Sequence, residues 1–268
     1  MNESLSSLTS QAGDRRVELK IPIITYHSID DSGSVISTPP SVFRRQMKYL
    51  ANAGHQVVSL VELIRSLKDG TRLSAKTAVL TFDDGFSNFY TEAFPVLCEY
   101  CFSATVFLVT GRCGKFNDWQ GNSDAIPRSK LLSWQEVREL DRFGIEIGSH
   151  TKTHRDLTRL GSQDAEREII DSKAEIEDEV GREAATFAYP FGGMNPAVRQ
   201  IAADNFDAAC STELGKVTKA SDFYSLRRLD AYYLTNQRLF AMHGSATFDN
   251  YMRFRQALRS VKHSFLRA

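Results

Sequence analysis

"KTAVLTFDDG", residues 76–85, joins an apolar run to two adjacent carboxylates and a glycine. Residues 76–82 show no polar alternation and read as a buried strand, with Gly85 turning the chain just beyond it. Asp83 and Asp84 then stand side by side at a strand end, where like charges repel and lose hydration. A bound metal ion would offset that cost. A plain surface turn is the simpler alternative, and the rest of the chain has to choose between them.

The same strand-then-helix rhythm extends on both sides. "IPIITY" (21–26), "HQVVSL" (55–60), "SATVFLV" (103–109), "IEIGS" (145–149), "ATFAYP" (185–190) and "FDAACS" (206–211) read as further strands. Between them, 41–54, 60–70, 88–101, 162–181 and 195–205 carry apolar residues at helical spacing, and Gly54, Gly70 and Gly181 are stop signals. Pro95 marks an irregularity in the third of these helices. Ser133 to Glu136 is a capping box that opens another, with Trp134 read as a core residue on it. Alternation repeated about seven times means an α/β fold with a mainly parallel sheet. No strand is followed by a glycine-rich phosphate loop, so the expectation is an irregular (β/α)7-type barrel with its chemistry at the carboxyl ends of the strands. Residues from about 215 onward look less regular and are expected to pack across the barrel's outside. The reading is one domain over 17–268, preceded by a polar, Ser-rich tail, 1–16, expected to be disordered.

The 33 Lys and Arg residues balance 33 Asp and Glu residues over 268 positions, which gives no electrostatic footprint for nucleic acid or a charged membrane surface. No window has the length of a membrane span, and the first residues lack the apolar core of a secretory signal, so the expectation is a soluble, cytoplasmic protein of undetermined oligomeric state. Cys98 and Cys101 form a single CxxC with no second pair. They are read with Cys113 and Cys210 as reduced structural thiols.

If the barrel holds, the polar residues just past each strand share one rim. These are Tyr26 and His27, then Asp83 and Asp84, then His150 with His154 four positions on, then Pro190 and Phe191. Two histidines at i and i+4 can face one way and, with one carboxylate, make a donor set for Zn²⁺ or for Co, Ni, Mn or Fe, with open positions left. The second Asp is then free to act as a base.

At this point "TFDDG" (81–85) and "HTKTH" (150–154) resemble two motifs of the NodB-homology polysaccharide deacetylases, carbohydrate esterase family 4. The likeness runs over about residues 20–212 and includes "FAYPFGG". It implies Asp83 as catalytic base, and Asp84, His150 and His154 as ligands of one divalent ion, zinc first among the candidates. It implies hydrolysis of N-acetyl groups on an amino-sugar oligo- or polysaccharide, with release of acetate. Two family features are altered. The motif R-x-P-Y reads Ala188-Tyr189-Pro190-Phe191 here, so its arginine is missing and Arg227 or Arg228 is the replacement sought. The Phe191 N–H can still serve an oxyanion. The late L-x-H motif is absent too. "IITYHSI" places His27 at a strand end, as in the circularly permuted branch that includes the poly-N-acetylglucosamine deacetylases, and His27 becomes the candidate acid. His55 is read as structural, and His243 and His263 as the rivals to His27. Tyr189, Phe191 and above all Trp119, in the long loop 111–130, are the expected sugar-stacking surfaces. The competing readings are a non-haem iron oxygenase, a hydrolase of another small amide, and a catalytically weak carbohydrate-binding relative.

Overall fold

The structure, a computed structural model, describes residues 19–267; the tail expected to be disordered lies outside them. The apolar run at 77–82 forms a strand, β3 (Thr77–Phe82), in which all six residues are buried. Seven others accompany it: β1 (Ile23–Tyr26), β2 (Gln56–Val58), β4 (Thr105–Leu108), β5 (Glu146–Ser149), β6 (Thr186–Ala188), β7 (Ala208–Leu214) and β8 (Leu226–Asp230). The helices are α1 (Pro40–Asn52), α2 (Leu60–Asp69), α3 (Phe94–Glu99), α4 (Trp134–Arg142), α5 (Ser162–Val180), α6 (Pro196–Asn205), α7 (Gln237–Ala241) and α8 (Ala246–Arg267). The capping box at Ser133 and Glu136 is formed, and Gly70 and Gly181 end their helices in the left-handed conformation. The irregularity expected near Pro95 is a single π-helical turn, Phe89–Ala93, ahead of α3. No helix among the described residues is long and apolar enough to cross a membrane.

Every ladder is parallel, and the strands β1, β3, β4, β5, β6, β7 and β8 close into a seven-stranded barrel. The seven are not the seven read from the sequence. β2 pairs only with the start of β3, Gln56 against Thr77 to Val58 against Val79, and stays out of the ring. The closing strand is β8, "LRRLD", which lies in the region expected to be irregular and external. Two arginines hide it, because the apolar pattern breaks at Arg227 and Arg228. Neighbours on a strand point to opposite faces. Arg227 is exposed and pairs with Glu213, while Arg228 is 4% exposed and faces inward.

The same alternation sorts β1 and β3. Tyr26 and Phe82 face outward, stacked 5.1 Å apart, with Phe43 of α1 edge-on to both. Thr25 and Thr81 face inward and share a hydrogen bond of 3.0 Å, which aims the next residues of the same parity, His27 and Asp83, over the barrel mouth. At the opposite end Leu60, Leu63, Ile64 and Leu67 of α2 pack with Ile23, Val79 and Phe107. There the first turn of α2 meets half-buried Glu146, whose carboxylate accepts the Val61 N–H and the hydroxyls of Thr105 and Thr186. One end of the barrel is thus plugged with apolar side chains, and the other is left to polar ones.

Candidate active site

Asp83 and Asp84 leave β3 through a backbone that a branched or bulky residue would resist. Asp84 has φ 72° and Gly85 also 72°, and a Cβ at Gly85 would come within 2.8 Å of Leu108 Cδ2. His150 and His154 leave β5 in a compact loop rather than a helical turn. Thr151 and His154 are left-handed there, at 67° and 59°. Side chains hold the loop in place: the His154 N–H donates to Thr151 Oγ1 at 3.0 Å, and the Thr153 N–H and hydroxyl both donate to the Glu168 carboxylate of α5. Phe191, past β6, is left-handed at 56°. Four of the five non-glycine residues with positive φ among the described residues therefore lie around one rim. Backbone strain of this kind persists only where the surroundings enforce it.

The rim brings together three donor atoms. Asp84 Oδ1 lies 3.4 Å from His150 Nε2 and 3.2 Å from His154 Nε2, and the two imidazole nitrogens are 3.2 Å apart. All three residues are buried. His150 Nδ1–H donates to the Ala188 carbonyl at 2.7 Å, which turns the Nε2 lone pair toward the triangle. The set fits a divalent ion. A tetrahedral ion with bonds of about 2.0–2.1 Å holds its donors about 3.3 Å apart, and two imidazoles with one carboxylate leave one position open. Burial pushes the Asp84 carboxyl upward, but the imidazoles of His150 and His154 outweigh it and hold the acid well below the usual range. The His150 imidazole is raised, since Asp84 and Asp83 outweigh its burial; His154 is lowered, with burial the largest cause.

Asp83 is held differently. The Arg228 guanidinium clamps it in a bidentate pair, Nη1 to Oδ1 and Nη2 to Oδ2, both at 2.7 Å. Arg228 is itself fixed by the Ser211 carbonyl at 3.0 Å and Thr81 Oγ1 at 3.3 Å. Burial alone would raise the Asp83 carboxyl, but Arg228 overcomes it and keeps the acid ionised, and the arginine is raised in turn. Of the two arginines weighed as replacements for the missing motif arginine, only Arg228 reaches Asp83. His27 Nε2 stands 3.9 Å from Asp83 Oδ2, with its side chain 23% exposed. Both line a cavity of about 630 Å³ that also touches Phe191, Tyr232 and Tyr233.

Other expected residues are elsewhere. Trp119 is 5% exposed, and its ring lies against His154, centroids 4.4 Å apart, so it covers a donor and presents no face to a sugar. Tyr189 is buried, its hydroxyl donating to the Tyr224 carbonyl, and Pro190 is buried beside it. Of that motif only Phe191 is open, at 49%. His243 is buried against His55 and Tyr49, in contact with α7 rather than the barrel mouth, which removes it as a rival to His27. His263 lies on α8, where its side chain is outside the described part. The four cysteines are free, and Cys98 and Cys101 are exposed rather than packed. The sequence reading missed Glu168 and the tyrosines at 232 and 233. A carboxylate facing inward on an otherwise apolar stripe of α5 was the available sign of the first; nothing local marked the others.

The sequence profile of the polysaccharide deacetylases matches residues 70–205. YxkH of Bacillus subtilis strain 168, provisionally named a polysaccharide deacetylase, is 30% identical over 211 residues, spanning 78% of this chain and 71% of that protein. The poly-β-1,6-N-acetyl-D-glucosamine N-deacetylase of Escherichia coli K12 is 32% identical over 139 residues, 48% of this chain but only 20% of that longer protein. The solved structure of the Streptococcus pyogenes deacetylase PplD in complex with acetate superposes with a TM-score of 0.70 at 27% identity, covering 80% of this chain and 93% of that one. Profile, relatives and barrel agree with the geometry of the rim: the chain belongs to the polysaccharide deacetylase family.

Proposed function

We propose that the protein hydrolyses N-acetyl groups on an amino-sugar oligo- or polysaccharide and releases acetate. One observation carries this: a carboxylate kept ionised by its own arginine stands directly beside a three-donor site that does not use it. A carboxylate that is neither ligand nor buried counter-ion alone is placed to take a proton. Bound at Asp84, His150 and His154, a divalent ion supplies a Lewis acid for the amide carbonyl and lowers the pKa of water. Asp83 accepts the proton of the attacking water. His27, whose Nε2 lies 3.9 Å from Asp83 Oδ2 and which lines the same cavity, is the candidate to deliver a proton to the departing nitrogen. The Phe191 backbone N–H is the candidate donor to the carbonyl oxygen as it gains charge. Phe191 and Tyr232, both half exposed, are the rings against which a pyranose face can pack.

Zinc is the ion we assign. Donor edges of 3.2–3.4 Å fit a tetrahedral set, and two imidazoles with one carboxylate are donors that zinc takes with a position left open. The wholly parallel barrel also sets this site apart from the antiparallel sheets on which non-haem iron oxygenases carry the same donors.

The test is acetate release from N-acetylated chitooligosaccharides by zinc-loaded protein, with Asp83→Asn as the control. Time-dependent acetate and free amine from the wild type alone support the proposal. Equal background from both proteins, with sugar still bound, would show a binding protein instead.

A further inference from the structure

The cavity beside Asp83 and His27 carries more positive charge than hydrolysis of a neutral acetamide requires. Arg255 and Arg259 lie one turn apart on α8 and both line it. The Arg255 guanidinium lies 4.4 Å over the Tyr233 ring, which fixes its plane. Among the described residues neither arginine has a carboxylate within 4.0 Å. The cavity's acids are engaged elsewhere: Asp83 is clamped by Arg228, and the Asp230 carboxylate accepts the Tyr232 N–H at 3.0 Å. Three guanidiniums, at 228, 255 and 259, thus face two carboxylates before any ion is bound.

Like charges at i and i+4 on a helix repel, and that cost persists until an anion comes between them. Guanidinium forks match the oxygens of a carboxylate or a phosphoryl group, and one that is stacked in advance loses little entropy on binding. Building on the deacetylase reading, we propose that the sugar chain this protein takes carries an anionic group, a carboxylate or a phosphoryl ester, which seats at Arg255 and Arg259 while the acetamide lies at Asp83 and His27. Arg228 belongs to the base; Arg255 and Arg259 set the choice of substrate.

Calorimetry on the zinc-loaded full chain tests this with three probes: N-acetylglucosamine, N-acetylglucosamine 6-phosphate and N-acetylmuramic acid. The expected result is that at least one anionic sugar binds about tenfold or more tighter than the neutral one, with an advantage that shrinks as salt rises. The phosphate and carboxylate probes show which anion the site takes. Arg259→Gln, which leaves the Arg255–Tyr233 stack in place, should erase most of the preference, and Arg259→Lys should restore part of it. Equal affinity for all three probes overturns the proposal, as does a preference untouched by Arg259→Gln in a variant whose melting temperature is unchanged. Because binding is read separately from acetate release, a silent catalyst that still prefers anions would overturn the deacetylase reading and leave this one standing.

Discussion

Two pairs of histidines in this molecule make nearly the same contact. His150 and His154 face each other Nε2 to Nε2 at 3.2 Å, and His55 and His243 do so at 3.1 Å. In each pair one Nδ1 meets a backbone carbonyl, that of Ala188 at 2.7 Å or of Phe240 at 2.8 Å. In each pair the other Nδ1, of His154 or His55, is buried with no hydrogen-bond partner among the described residues. What separates them is one acid. Asp84 stands 3.2 and 3.4 Å from the first pair, and His150 is raised by it against the pull of burial. The second pair has no carboxylate within 4.0 Å among the described residues, and burial takes His243 down to about 4. Imidazole contact alone makes a neutral packing element; a carboxylate on a strained backbone makes a site that can compete for a cation.

The largest contrast should appear on metal analysis. His150→Ala is expected to abolish both tightly bound metal and acetate release, while His243→Ala retains a full equivalent of metal and its activity; metal retained by the first variant would remove the site. Asp83→Asn sharpens the division between the adjacent acids: it should keep the metal and lower turnover by about 10²- to 10⁴-fold. If it instead released the metal and Asp84→Asn kept it, the roles of the two acids would be reversed. His27→Ala should also keep the metal and lower kcat by at least about 10²-fold, with KM within a small factor. Near-normal turnover in this variant would mean that the leaving nitrogen takes its proton elsewhere.

The smallest effect belongs to the second pair and concerns stability. A histidine whose folded pKa is depressed to about 4 from an ordinary value near 6.5 binds its proton more readily in the unfolded chain. Its contribution is fully present above pH 6.5, declines as pH falls through the window, and reaches its limit below pH 4. The expected loss is roughly 3 kcal/mol at most. Urea unfolding of wild type and His243→Gln from pH 7 to 4 should show a steeper decline in the wild type. Parallel curves would mean that the pair accepts its proton without penalty.

What could be read without coordinates was local. The Asp83–Asp84 step and the His150–His154 spacing sit at strand ends, so pattern and position coincide, and the barrel follows from the alternation around them. What could not be read was long-range. Arg227 and Arg228 are chemically identical neighbours, and only the inward parity of β8 selects the second. β8 itself was invisible because its inward charge is compensated by Asp83, 145 positions away, and no sequence window spans that distance. Trp119 failed in the opposite direction: an aromatic in a long polar loop looks solvent-facing until the loop folds back and buries it with Phe86, Val109 and Leu131.

That distance is also an interval of time. A chain emerging at about 5–20 residues per second exposes Asp83 roughly 7–30 s before Arg228 follows. Throughout that interval β1 has an edge without its final partner, and β7 has one from its own emergence until β8 follows, since β8 pairs with both. The base therefore acquires its counter-charge in the same event that closes the barrel, and the nascent protein has no stage at which the rim is complete and the wall is still open.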